Sequence, residues 1–252
     1  MRENFLQSGF GIRLEWGATG AERLAPDVAC LVVVDVLSFT TSVGVLAERG
    51  TAVLPCPWRD AAAADFARGH GAELAVGRRE TSEAAPWSLS PAALRRAPFA
   101  PRLVLPSPNG SAISAAARPY GVPVVAASLR NGAAVGKWLA AQGFGRPDRP
   151  VAVIASGERW PDGSLRPALE DLLGAGLVIA SAAAAGQKSL SPEAAAAADV
   201  FAATADVAAA VRACSSGREL VDGGFPEDVA IATELGAGQA VPVLRDGAFT
   251  AA

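Results

Sequence analysis

Acidic side chains follow apolar runs at two places in this 252-residue chain. Asp35 comes directly after the apolar run 31–34, and Glu170 and Asp171 form an acidic pair near the start of a helix pattern. A few carboxylates of this kind can hold Mg²⁺ against a substrate phosphate. The same residues have a simpler explanation, because Asp35 is an equally good N-cap for a helix near Ser38 and the acidic pair complements a helix dipole.

Small polar residues follow three further apolar runs, in the segments 107–111, 128–132 and 156–159. Asn109 and Ser111 can both donate hydrogen bonds to oxygens, and Gly110 between them allows close backbone approach. Any one such segment is best explained as a helix cap. Together they predict a site for a phosphate or sulfonate, because free N–H groups at helix N-termini favour anions.

The small numbers of histidine and cysteine residues exclude several other chemistries. His70 is the single histidine and lies in a turn context, which argues against serine triads and multi-histidine metal sites. The three cysteines are far apart and are expected to be free thiols. Cys214 and Arg218 are separated by three residues, whereas a cysteine-phosphatase loop has five, and the chain has no phosphate-binding loop or dinucleotide fingerprint. Carboxylates, amides, hydroxyls and a hard metal ion remain.

Short apolar runs alternate with helix patterns through the first two thirds of the chain. The predicted strands are 12–16, 30–34, 52–55, 73–76, 102–105, 123–126 and 151–155. The predicted helices between them include 40–49, 59–68, 111–117 and 132–142. This alternation is typical of a three-layer α/β/α fold with a mostly parallel sheet, in which ligands bind beyond the carboxyl ends of the strands.

From Ala168 onward the pattern is Ala-rich and helical, with breaks at 186–192 and 215–217 and one late strand at 241–244. Such small side chains predict helices that pack closely on the sheet or on each other. We expect a single α/β phosphatase-like domain over residues 1–252.

The charge balance limits the partners. The net charge is −3 and the charges are scattered, which argues against nucleic acid and anionic membranes as partners. No apolar run is long enough to span a membrane, and the first residues do not resemble a signal peptide. We therefore expect a cytoplasmic protein that binds a small phosphorylated acid. Its Ala-rich helices could supply a homodimer face, although packing within the monomer is favoured.

The same polar segments resemble those of the 2-phosphosulfolactate phosphatase family, known from coenzyme M biosynthesis. The resemblance covers roughly residues 30–245 in order and spacing. The matching segments are 34–41, 107–111, 128–131, 170–176 and 217–228. It implies a three-layer α/β/α fold and Mg²⁺-dependent hydrolysis of a phosphate monoester next to a sulfonate. Asp35, Glu170 and Asp171 are then expected to be catalytic and to surround the Mg²⁺.

The chain departs from the family pattern at positions that bind anions. The arginine that usually follows Asp-Val-Leu is Ser38, the usual Gly-Glu-Arg is 77–79 with Arg78 in the middle, the usual Asn-Ser-Pro is 89–91, and a common histidine is Ser216. We expect Arg78, Arg79 or Arg159 to bind the second anionic group instead. The full set of expected substrate-binding residues is Ser38, Thr40, Thr41, Asn109, Gly110, Ser111, Asn131, Arg78, Arg79 and Arg159.

A second hypothesis is a non-catalytic protein that binds a phosphorylated or sulfonated metabolite at the same helix N-termini. It is motivated by the missing arginine at Ser38. It predicts stabilisation by the ligand without release of phosphate.

Overall fold

The central element is a twisted sheet, seen in a computed structural model that describes residues 3–57 and 61–252. Within those residues the sheet has nine strands in the order β1-β7-β2-β6-β10-β11-β3-β5-β4, and a separate small hairpin pairs β8 with β9. The strands are β1 Ile12–Trp16, β2 Cys30–Val34, β3 Ala52–Cys56, β4 Glu73–Leu74, β5 Arg102–Pro106, β6 Val124–Ala127, β7 Val151–Ala155, β8 Glu158–Arg159, β9 Leu165–Arg166, β10 Pro242–Arg245 and β11 Ala248–Ala251.

The last two strands join two parallel parts of the sheet. Strands β1, β7, β2 and β6 are parallel, as are β3, β5 and β4. The hairpin β10–β11 lies between these parts and pairs antiparallel with β6 through Val243 and with β3 through Phe249. The mostly parallel sheet predicted from the sequence is confirmed.

Helices cover both faces of the sheet. They are α1 Gly17–Leu24, α2 Phe39–Glu48, α3 Ala61–Gly69, α4 Pro91–Arg96, α5 Gly110–Ala117, α6 Gly132–Ala141, α7 Leu169–Ala184, α8 Pro192–Ala203, α9 Val207–Ala213, α10 Ser215–Asp222 and α11 Pro226–Ala232. Along β2, Val32 and Val34 pack in the core beneath α6 and α7, whereas Leu31 and Val33 pack in the core beneath α2 and α5. Alternate side chains of one buried strand therefore fill two cores, as the continuously apolar runs predict.

The Ala-rich C-terminal third is helical, and its helices approach closely. A Cβ added at Gly174 in α7 would lie 2.8 Å from Val34 and Val36, and one at Gly176 would lie 2.2 Å from the carbonyl oxygen of Ala197 in α8. These glycines let α7 pack directly against both the sheet and α8.

Most differences from the predicted elements lie at element ends. The predicted break at 215–217 is wrong, because Ser215 begins α10 and the chain turns at Cys214, whose sulfur accepts the N–H of Gly217. The first two residues of the predicted helix 59–68 lie outside the described residues. The elements α1, α4, β8, β9 and β11 have no counterpart among the predicted ones. His70 is exposed, and Cys30, Cys56 and Cys214 are thiols that form no disulfide among the described residues, as expected.

No single helix of the described chain has the length and apolarity needed to cross a membrane. The consecutive helices α8 and α9 have that length and apolarity only when they are taken together, and the chain bends by 104° between them.

Candidate active site

Asp35 connects the starts of two helices at the carboxyl edge of the sheet. Its Oδ1 accepts the N–H of Phe39 in α2 over 3.1 Å, and its Oδ2 accepts the N–H of Gly110 in α5 over 2.9 Å. Strand β5 is five places from β2 in the sheet, so the loop 107–109 brings α5 back across the edge to Asp35. The N-cap residue of α2 is Ser38 rather than Asp35, but the Asp35 carboxylate accepts the first N–H groups of both helices from the loop before α2.

Gly110 fits this junction because it has no side chain. A Cβ there would lie 2.3 Å from Cδ1 of Phe39 and 2.8 Å from Oδ2 of Asp35. The close approach expected at Gly110 is thus made by the protein's own carboxylate and ring.

The acidic pair at the start of α7 reaches the same edge and is buried. Asp171 accepts the N–H of Val36 over 2.7 Å through Oδ1 and the N–H of Gly157 over 2.8 Å through Oδ2, which ties together the loops after β2 and β7. Glu170 accepts the thiol of Cys214 through Oε2 over 3.2 Å. Asp171 thus links the loop that carries Asp35 to the loop that follows β7.

These acids repel one another. Burial raises the pKa of Asp35, and the charge of Glu170 raises it further. Hydrogen bonds from Phe39 and Gly110 and the charge of Arg78 lower it. Burial, with the charges of Glu170 and Asp35, raises the pKa of Asp171 well above its ordinary value. A cation bound here would relieve this repulsion.

The donor set suits a hard divalent cation, but the acids do not form a complete cage. Among residues 3–57 and 61–252, no three His, Cys, Asp or Glu side chains are arranged to hold one metal ion. Mg²⁺ usually binds through one or two carboxylates, with water and substrate phosphate completing its octahedron. Glu170 fits that mode of binding most directly. Each oxygen of Asp35 and of Asp171 already accepts one backbone N–H and keeps one lone pair for a cation.

Arg78 brings a positive charge to this acidic edge. One of its terminal nitrogens donates to Oγ of Ser38 over 2.8 Å, and its Nε donates to Oδ2 of Asp228 over 3.1 Å. Asp228 is 1% exposed and also accepts the hydroxyl of Ser90 and the N–H of Ala92. The guanidinium is therefore fixed beside Ser38, with 19% of the side chain exposed.

A second group of polar residues surrounds a cavity of about 280 Å³ beside the acids. Its lining includes Asn109, Ser156, Glu158 and Arg159, together with the start of α1. The side-chain amide of Asn109 donates to Oε2 of Glu158 over 3.0 Å. Burial, followed by the charges of Asp35 and Glu170, raises the pKa of Glu158 to about 7.

Four of the expected substrate-binding residues use their polar atoms within the fold. Thr40 bonds to the backbone of Asp35, and Thr41 and Ser111 donate to the carbonyls of Val36 and Leu105. Asn131 accepts the N–H of Ser128 and donates to two carbonyl groups. These residues shape the loops that carry the acids.

The remaining two arginines are exposed. Arg79 donates to the carbonyl oxygen of Gly223 over 3.5 Å, and Arg159 donates to that of Gly163 over 3.2 Å. Arg159 borders the cavity, whereas Arg79 lies in a separate groove with Glu219 and Phe225. Of the three expected arginines, Arg78 is the one whose charge acts on Asp35.

Two candidate functional residues, Glu158 and Asp228, were not predicted from the sequence. Glu158 follows the buried strand β7 in the segment 156–159, so its position after a strand was available as a signal. Asp228 reaches Arg78 across 150 residues of sequence, and no local pattern indicates that contact.

Comparison with family models identifies the family of this chain. A search of curated proteins finds no match to the chain. A family model described as 2-phosphosulpholactate phosphatase matches residues 19–247 of 252, a range that contains each acid and arginine described above. The chain therefore belongs to the 2-phosphosulpholactate phosphatase family, a family of phosphoric monoester hydrolases.

Proposed function

We propose that this protein is an Mg²⁺-dependent phosphatase that hydrolyses 2-phosphosulfolactate to sulfolactate and phosphate in the cytoplasm. Family membership supports the phosphatase activity. The observation that carries the substrate class is Arg78, whose guanidinium is fixed between Ser38 and Asp228 beside the buried acids. A fixed guanidinium binds a sulfonate or carboxylate through paired hydrogen bonds, so a substrate with an anionic group beside its phosphate fits this edge.

Asp35 and Glu170 would hold Mg²⁺ in this proposal. When bound, the ion polarises phosphate oxygens and stabilises the charge that develops during transfer. Asp171 keeps the loops after β2 and β7 in place, and Asn109 presents its amide toward the cavity in which we place the phosphate. The raised pKa values of Asp35 and Asp171 support the proposal, because a bound cation offsets the cost of burying both as carboxylates.

The test is phosphate release by the purified protein from racemic 2-phosphosulfolactate and from a panel of phosphorylated three-carbon acids, each with Mg²⁺ and with EDTA. We expect release from 2-phosphosulfolactate that EDTA abolishes. Release only from another acid would contradict the substrate, and full activity in EDTA would contradict the metal. Stabilisation by these compounds without any release would instead support the binding-protein hypothesis.

A further inference from the structure

Glu158 is placed for chemistry by a cavity and by a cluster of polar groups. It lies at the start of β8, three residues after β7 ends, and lines the cavity that Asn109 and Ser156 also line. Its Oε2 accepts the Asn109 amide. The hydroxyl oxygen of Ser156 is buried and has no hydrogen-bond partner within the described residues, so the cavity offers an unsatisfied polar atom to a bound molecule.

The charges around Glu158 favour its protonated form. Asp35 after β2, Glu170 in α7 and Glu219 in α10 all act on it as negative charges. The two arginines of the same hairpin donate to other groups, Arg159 to the carbonyl oxygen of Gly163 and Arg166 to the hydroxyl of Ser216. Burial is the largest cause, and together with these charges it raises the pKa of Glu158 to about 7. Mg²⁺ held by Asp35 and Glu170 would offset the charges of those two acids but not the effect of burial.

We propose that Glu158 is the general acid that protonates the leaving alcohol, an inference that rests on the proposed phosphatase function. As the O–P bond breaks, its electron pair passes to the ester oxygen, which takes the proton of the Glu158 carboxyl group. Water forms the new O–P bond and gives up a proton, and Glu158 is reprotonated from solvent. The products are sulfolactate and phosphate, so protons and charges balance.

A role as general acid suits this site better than a role as general base. A phosphate dianion that enters beside Asn109 adds negative charge next to Glu158 and raises its pKa further. The carboxyl group is then protonated when substrate is bound. An aliphatic alkoxide is a poor leaving group, so its departure is the step that needs this proton.

The test compares the wild type with Glu158→Gln on 2-phosphosulfolactate, or on the most active acid of the panel, and on 4-nitrophenyl phosphate. We expect kcat for the alkyl phosphate to fall by roughly 10²- to 10⁴-fold in the variant. The loss with 4-nitrophenyl phosphate should be much smaller, because nitrophenolate leaves without a proton. The decline of wild-type kcat/KM at pH above about 7, which reports the free enzyme, should be absent from the variant's profile.

Glu193→Gln is the matched control, because it removes an exposed carboxylate in α8 that neither lines the cavity nor acts on Glu158. We expect its rate to stay within about twofold of the wild type. If Glu158→Gln does not fold, the pH profiles of the wild type test the inference. Its kcat should decline at high pH with the alkyl phosphate but not with 4-nitrophenyl phosphate.

Equal losses on both substrates, or full activity of Glu158→Gln, would overturn the inference while the proposed function stands. A wild type that releases no phosphate from any substrate contradicts the proposed function itself.

Discussion

The guanidinium of Arg78 donates a hydrogen bond to the hydroxyl of Ser38 over 2.8 Å, across 40 residues of sequence. The family pattern has an arginine where this chain has Ser38 and a glutamate where it has Arg78. The structure thus places the guanidinium of Arg78 beside Ser38. Asp228 supplies the second contact that keeps it there.

Replacing Arg78 should weaken binding of the substrate more than it slows the reaction. We expect Arg78→Met to raise KM for 2-phosphosulfolactate by about 10- to 100-fold, since a charge-assisted pair contributes about 1.5–3 kcal/mol. A phosphate monoester without a second anionic group should show little change. Steady-state kinetics on both substrates checks this, with the exposed Arg96→Met as control. An equal rise in KM for both substrates would contradict a role in reading the second anion.

Asp228 should act on substrate binding through Arg78. Asp228→Asn weakens the contact with Nε of Arg78 and disturbs the bonds from Ser90 and Ala92. We expect a loss of about 1–3 kcal/mol in the free energy of unfolding and a rise in KM in the same direction as for Arg78→Met. In the background of Arg78→Met, the further rise in KM should be small. Independent, additive effects on KM would show that Asp228 does not act through Arg78.

The junction at Gly110 should not tolerate a methyl group. Gly110→Ala places Cβ against Phe39 and Asp35, and we expect it to lower the free energy of unfolding by about 1–3 kcal/mol. Gly44→Ala in α2 is the matched control, because a Cβ there meets no atom within 4 Å. That control should gain up to about 1 kcal/mol from helix propensity. Urea unfolding measures the free energy of unfolding of both variants. Equal values for Gly110→Ala and Gly44→Ala would contradict close packing at Gly110.

Stability should fall as the pH rises from about 4.5 to about 7 when no metal is present. Glu158 has a pKa of about 7 in the folded chain against 4.5 in the unfolded one, so between these values the folded state binds the extra proton. The fall is at most on the order of 3 kcal/mol, and partial solvation reduces it. The raised pKa values of Asp35 and Asp171 act in the same direction.

Glu158→Gln should flatten this dependence. Urea unfolding in EDTA at pH 5 and at pH 8 compares the variant with the wild type. A variant that loses as much stability as the wild type between these two values would show that Glu158 does not carry the raised pKa.

Mg²⁺ should stabilise the metal-free protein through the buried acids. At a concentration about 100 times its Kd, a bound ion adds about 2.7 kcal/mol, which raises Tm by roughly 5–10 °C for a chain of this size. We expect Glu170→Gln to remove most of this shift. The exposed Asp162→Asn should keep it. Differential scanning calorimetry with and without Mg²⁺ checks the prediction, and an unchanged shift in Glu170→Gln would place the ion elsewhere.

The sequence alone predicted the layers of the fold and the edge at which the acids meet. Runs such as 30–34 and 151–155 are apolar at every position because both faces of the strand are buried, and that requirement is visible in a few consecutive residues. A residue just after such a strand, such as Asp35, lies at the carboxyl edge whatever the order of the strands. These features are local, so they could be predicted from the sequence.

Tertiary structure decided which side chains share the site. Sheet order and the return of α5 across the edge bring Asn109 to Glu158, and the packing of α11 brings Asp228 to Arg78. It also decided that Thr40, Thr41 and Ser111 satisfy backbone carbonyls within the fold. A side chain's type gives its capacity to bind, but its partner depends on which loops meet. That meeting follows from packing among distant elements, which no short segment of the chain encodes.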